Sequence, residues 1–115
     1  MKAISGIILV LTLSIFAFKP VFKTSLRINI HNELGHIEEN VEITLYTSIE
    51  DYRKEENPAF PTQYTDVKGR TTFKGVEPII YYIHAEKEDK NNVGKGVESD
   101  TVIEGKMNKI TIIIE

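Results

Sequence analysis

Three histidines, His31, His36 and His84, are the side chains best suited to hold a transition metal or move a proton near neutral pH. His31 and His36 flank the turn signal Asn32–Gly35 (NELG), so the two imidazoles could approach one another. A zinc or copper site needs a third and usually a fourth ligand, and no spacing here supplies them. Ser25, Ser48 and Ser99 are the candidate nucleophiles, but there is no G-x-S-x-G elbow to present one. The carboxylate pairs Glu38–Glu39 and Glu55–Glu56 are adjacent in sequence and read as surface charge rather than as an acid and base flanking a substrate. These patterns name no catalytic, metal-binding or cofactor-binding residue.

Two oxygen-rich stretches remain. In TDVKGRTTFKGVEP, Asp66 precedes Gly69 by three positions, as in a type I turn whose first side chain accepts backbone N–H groups and whose last residue takes a left-handed conformation. A calcium loop would need oxygen ligands at alternating positions, and Val67, Lys68 and Arg70 stand in their way. Asp66 and Gly69 are therefore assigned to architecture. The second stretch, EKEDKNNVGKGVESD, gathers Glu86, Glu88, Asp89, Asn91, Asn92, Glu98 and Asp100, but Lys87, Lys90 and Lys95 are interleaved and the calcium-loop spacing is absent. It reads as a solvated hairpin loop. Its GKG lacks the rest of a phosphate loop.

The aromatic residues give the best indication of binding. Tyr46 and Tyr82 share outward parity on their strands, and His84 lies two residues from Tyr82 on the same face. If the two strands are neighbours, Tyr46, Tyr82 and His84 form a surface on which a sugar ring or peptide could stack. Tyrosine also favours strands for packing alone, and that reading stands beside the other.

The elements that must position these residues are strands. Leu26, Ile28 and Ile30 alternate with Arg27, Asn29 and His31, as successive side chains of a half-buried strand must. The same period places Val41, Ile43 and Leu45 inward against Glu42, Thr44 and Tyr46. It places Phe73 inward in RTTFKGV, and Tyr81, Ile83 and Ala85 inward in YYIHAEK. It also turns Ile110, Ile112 and Ile114 inward in the last run, with Thr111 and Ile113 outward. Turn signals separate the runs at 32–35, 66–69, Gly75, Pro78 and 91–96. One segment breaks the pattern: SIEDYRKEENP is charged and ends at Pro58, predicting a solvated turn of helix or an excursion over residues 50–57. The expected fold is an all-β, Greek-key-type sandwich of about seven strands.

At 115 residues the chain holds one domain, and its 27% charged and 41% hydrophobic residues suit a globular protein. A net charge of −3 with no stripe of Lys and Arg points away from nucleic acid. Met1-Lys2 followed by the uncharged run from Ala3 to Phe18 has the pattern of a secretory signal, with cleavage expected after Ala17; the alternative is an uncleaved N-terminal anchor, the one membrane contact expected. The expected organisation is a signal at 1–18, a short tether at 19–24 and a β-sandwich at 25–115. The absence of cysteine excludes disulfides, thiolate metal sites and a lipoprotein anchor.

LRINIHNELGHIEENVEITLY followed by TDVKGRTTFKGVEPIIYYIHAEK resembles the carboxypeptidase regulatory-like domain, a transthyretin-like (prealbumin-like) β-sandwich. The matching positions are Asn32, Gly35, Val41 to Leu45, Thr65, Asp66, Gly69, Phe73, Tyr82, His84 and Ala85. Asn40, where the family usually has a small residue, and the excursion at 50–57 depart from its pattern. The resemblance implies a fold rather than a reaction. Such domains occur in exported proteins of Gram-negative bacteria, sometimes joined to outer-membrane transporters or peptidases, and are similar to carbohydrate-binding folds. The expectation is an exported, non-enzymatic module of the periplasm, cell surface or medium, whose partner is an envelope protein or, in the alternative reading, a glycan. A metal-binding or hydrolytic protein is the third reading, and an exposed strand edge carrying Ile113 is a candidate contact for a partner strand.

Overall fold

A computed structural model describes residues 23–115; the expected signal at 1–18 and most of the tether lie outside the described residues. The chain runs β1 (Ser25–Asn32), β2 (Glu42–Tyr46), α1 (Ile49–Lys54), β3 (Gln63–Tyr64), β4 (Arg70–Lys74), β5 (Tyr82–Lys87), β6 (Lys90–Asn91) and β7 (Met107–Ile114). The strands form a three-stranded sheet in the order β4-β1-β7 and a four-stranded sheet in the order β3-β2-β5-β6. All neighbours are antiparallel except β1 and β7, which run parallel with Ser25 opposite Met107 and Asn32 opposite Ile114. The protein is an all-β sandwich.

Period-two alternation builds the core. Leu26, Ile28 and Ile30 of β1, Phe73 of β4, and Ile112 and Ile114 of β7 face Ile43 and Leu45 of β2 and Ile83 and Ala85 of β5, with Val41 and Tyr81 closing the ends. Each fully buried aliphatic or aromatic side chain contributes roughly 1.5–3 kcal/mol by leaving water. Phe60 packs against this core with its ring centroid 5.9 Å from Phe73 and 6.2 Å from Tyr81. Thr24 is bonded into the sandwich: its carbonyl accepts from Gly75 and Val76, and its hydroxyl accepts from the Gly105 N–H.

Alternation fails on β2, where Thr44 and Tyr46, expected to face solvent, are both buried. The reason is the charged segment that follows. Ser48 caps α1 by accepting from the Asp51 N–H at 3.1 Å, Glu50 and Asp51 occupy its first turn, and Arg53 and Lys54 its last, each sign matching the helix dipole. The helix ends at Glu55 in the left-handed region, and the chain returns along β2, where Ala59 N–H donates to the Leu45 carbonyl and the Thr44 and Thr62 hydroxyls meet at 3.0 Å. The expected excursion is thus a helix with a covering role.

Candidate functional site

Asp66 and Gly69 form the turn between β3 and β4. Asp66 Oδ1 accepts the N–H groups of Lys68 at 2.9 Å and Arg70 at 3.2 Å, while the Gly69 N–H donates to the Asp66 carbonyl at 2.9 Å. Desolvation acts to raise the Asp66 carboxyl, but these two N–H bonds and the charges of Arg70 and Lys68 outweigh it and hold the group below its ordinary value. Asn32 repeats the device, its Oδ1 accepting from Leu34 and His36. The two turns touch: Gly69 has φ +71°, and a Cβ there would sit 2.9 Å from Ile37 Cβ and 3.1 Å from the Ile30 carbonyl oxygen. Buried Thr65, just before the turn, donates its hydroxyl to the Glu38 carbonyl and accepts from the Val41 N–H.

His31 and His36 flank the turn that follows β1, while His84 lies on β5 of the other sheet. His31 is bridged to Ile37, exposed His36 lies beyond the Asn32 turn, and His84 Nε2 lies 3.3 Å from Glu86 and 3.9 Å from Glu55. Among the described residues no group of three His, Cys, Asp or Glu side chains is arranged to hold a metal ion. The Ser99 hydroxyl accepts from the Tyr81 N–H and donates to the Asp100 carbonyl, both backbone partners.

Tyr46, Tyr82 and His84 do share a face. Tyr46 stands opposite Tyr82 and Thr44 opposite His84 across β2 and β5. Tyr46, however, is not the surface tyrosine the alternation suggested, since only 5% of it is exposed. Tyr52 of α1 covers it edge-on, with ring centroids 6.0 Å apart, and lies 6.3 Å from the His84 ring. Burial, reinforced by Glu55 and Glu42, pushes the Tyr46 phenol above its ordinary value. What this face offers to solvent is half-buried Tyr52, on the charged helix, with half-buried Tyr82 and His84.

The larger open feature is the β7 edge. Backbone groups alternate sides along a strand. Lys106 turns its carbonyl toward β1, where it accepts from Ser25 N–H at 3.1 Å, whereas Glu115 exchanges both its backbone bonds with Asn91, away from β1. Met107, Lys109, Thr111 and Ile113 share the parity of Glu115, so their N–H and C=O groups point outward, and among the described strands β7 pairs only with β1. Met107 and Ile113 are 41% and 44% exposed. Beside Met107 a groove of about 320 Å³ is lined by Leu26 of β1, Asp100 and Ile103 of the preceding loop, and Lys109 and Ile110 of β7, among others.

The fold has solved counterparts. It is similar to a structure of the streptococcal ancillary pilin, with a TM-score of 0.62 and 12% identity, covering 84% of this chain and 33% of that one. It is similar also to the Bacillus anthracis TIE protein, with a TM-score of 0.56 and 13% identity, covering 82% of this chain and 16% of that one. The chain therefore spans a third or less of the length of either. No family model matches it, and no curated protein matches it.

Two structural residues escape a reading of the sequence. Asn92, placed by its neighbours in a solvated oxygen-rich loop, is fully buried; its side chain accepts from Ala85 N–H at 3.0 Å and donates to the Ile83 and Gly96 carbonyls. It extends β5 pairing where the loop leaves the sheet. Asn108 ties the last turn to β1 and to Ile103 in the same manner. Their residue type and neighbours do not distinguish them from the asparagines that flank turns.

Proposed function

We propose that this chain is a non-enzymatic, exported β-sandwich module with a structural or protein-interaction role at the bacterial cell envelope. The observation that carries the reading is the β7 edge: an eight-residue strand with outward-pointing N–H and C=O groups and exposed Met107 and Ile113. The fold shared with proteins described as a streptococcal ancillary pilin and the Bacillus anthracis TIE protein supports the same assignment. So does the commitment of the Ser99 hydroxyl to backbone groups. Within that fold, the Asn32 and Asp66 turns favour the carboxypeptidase regulatory-like, transthyretin-like type.

The test is a crosslinked pull-down from the membrane and periplasmic fractions of the native host, with intact-mass analysis of the recovered chain. A mature chain beginning near Phe18, recovered with a specific envelope protein or with itself, is the expected result. Recovery from the cytoplasm, with neither processing nor a protein partner, overturns the reading.

A further inference from the structure

We propose that two copies of this chain join through their β7 edges, antiparallel about a two-fold axis at Ile110, so that each three-stranded sheet becomes half of a continuous six-stranded one. This rests on the interaction-module reading above and names the partner. Natural edge strands are commonly protected by charge, proline or a bulge. β7 has neither proline nor bulge: its eight residues pair with β1 in unbroken register, and Lys109 is its single charged residue.

The register follows from the residues. A continuous sheet with matched faces requires odd positions to meet odd positions, since Met107, Lys109, Thr111 and Ile113 carry both the outward N–H and C=O groups and the exposed side chains. An axis at Lys109 would set two lysines directly opposite one another, a destabilising like-charge pair. An axis at Thr111 or Ile112 would demand the edge bonds of Glu115, and these are already made to Asn91. The Glu115 carboxylate is likewise held, 2.6 Å from Lys95. An axis at Ile110 avoids both conflicts. It sets Met107 opposite Ile113 at each end and Lys109 opposite uncharged Thr111, and brings half-buried Ile110 against its own copy on the inner face. All four open positions of each strand are then paired, and the exposed Met107 and Ile113 cover each other. An isologous contact of this kind closes on itself as a dimer.

The experiment uses the whole chain, recovered from the envelope fraction in mild detergent. The protein has no cysteine, so Met107→Cys and Ile113→Cys can be introduced on separately tagged copies and co-expressed. Hydrogen-bonded partners in an antiparallel pair lie about 5.5 Å apart at Cα, within disulfide range. The expected result is a disulfide dimer from the mixture and none from either variant alone. Thr111→Glu and Thr111→Lys, both at an exposed position, then read the charge pairing with Lys109 twice per dimer. The glutamate should tighten and the lysine weaken association, each by about 2- to 30-fold in sedimentation equilibrium. Absence of the mixed crosslink, self-crosslinking by Ile113→Cys alone, or equal association of the two Thr111 variants overturns the proposal. A chain that is monomeric but captures a different envelope protein through β7 also overturns it while leaving the function reading intact; a chain absent from the envelope removes both.

Discussion

The ring of Tyr52 stands edge-on to Tyr46, with centroids 6.0 Å apart and planes at 82°, and this contact fixes a six-residue charged helix to the outer face of β2. Such a short helix is not stable alone, so tertiary contact must hold it. Tyr52→Ala should therefore lower stability by about 1–3 kcal/mol, from the lost aromatic pair and lost burial together. Urea denaturation measures this, and near-ultraviolet circular dichroism should show Tyr46 losing its fixed environment. Stability within about 0.5 kcal/mol of wild type, the usual range for surface substitutions, would show that α1 is not anchored by this ring.

Gly35 and Gly69 occupy corresponding places in the two turns, with φ of +83° and +71°, yet their surroundings differ. A Cβ at Gly35 meets nothing within 4 Å, whereas at Gly69 it meets Ile37 Cβ at 2.9 Å and backbone atoms at 3.1 Å. Gly35→Ala should cost only the left-handed backbone penalty of about 1–2 kcal/mol. Gly69→Ala should cost that penalty and at least about 1 kcal/mol more, because an overpacked site must move backbone. Equal denaturation midpoints for the two variants would contradict the contact between the turns.

The period of the apolar residues exposed most of the fold because each of β1, β2, β5 and β7 is long enough to show alternation: Ile28 and Ile30, Ile43 and Leu45, Ile83 and Ala85, Ile112 and Ile114 all face the core. β3 and β6 escaped notice because two residues have no period. The charged run ending at Pro58 marked a turn of helix or an excursion in the sequence, but the burial of Tyr46 depends on a contact with Tyr52 that alternation cannot report. The same holds for the candidate edge. The outward parity of Ile113 was legible, while its position beside an open edge depends on strand order, a property of the folded chain alone.

Acid should destabilise the protein through identifiable carboxylates. Hydrogen bonds from Lys87 and Asn32 hold Glu38 below its ordinary 4.5, and the backbone bonds at Asp66, opposing its desolvation, hold that group below 3.8. Glu115 is lowered in the same sense by Lys95 and Glu33. A carboxyl that titrates lower when folded leaves the unfolded state binding more protons as pH falls, so acid favours unfolding. This stabilisation is fully present above the ordinary values and disappears as pH falls through the lowered ones. The urea midpoint should thus decline below about pH 4.5, and Glu38→Gln should make the decline shallower without abolishing it. An unchanged slope in that variant would show that the Lys87 contact contributes nothing.

Amide exchange along β7 distinguishes an open edge from an occupied one, residue by residue. The N–H groups of Asn108, Ile110, Ile112 and Ile114 share the side of the Lys106 carbonyl and face β1, so they should be protected up to the stability of the core. Those of Met107, Lys109, Thr111 and Ile113 face outward and, in a dilute monomer, should exchange orders of magnitude faster. Raising the concentration should slow exchange at these four positions together if second copies occupy the edge, because all four become bonded in the register centred on Ile110. Protection that is equal on both parities and independent of concentration would mean that another part of the same chain already covers the edge, and the dimer would then have no free strand on which to form.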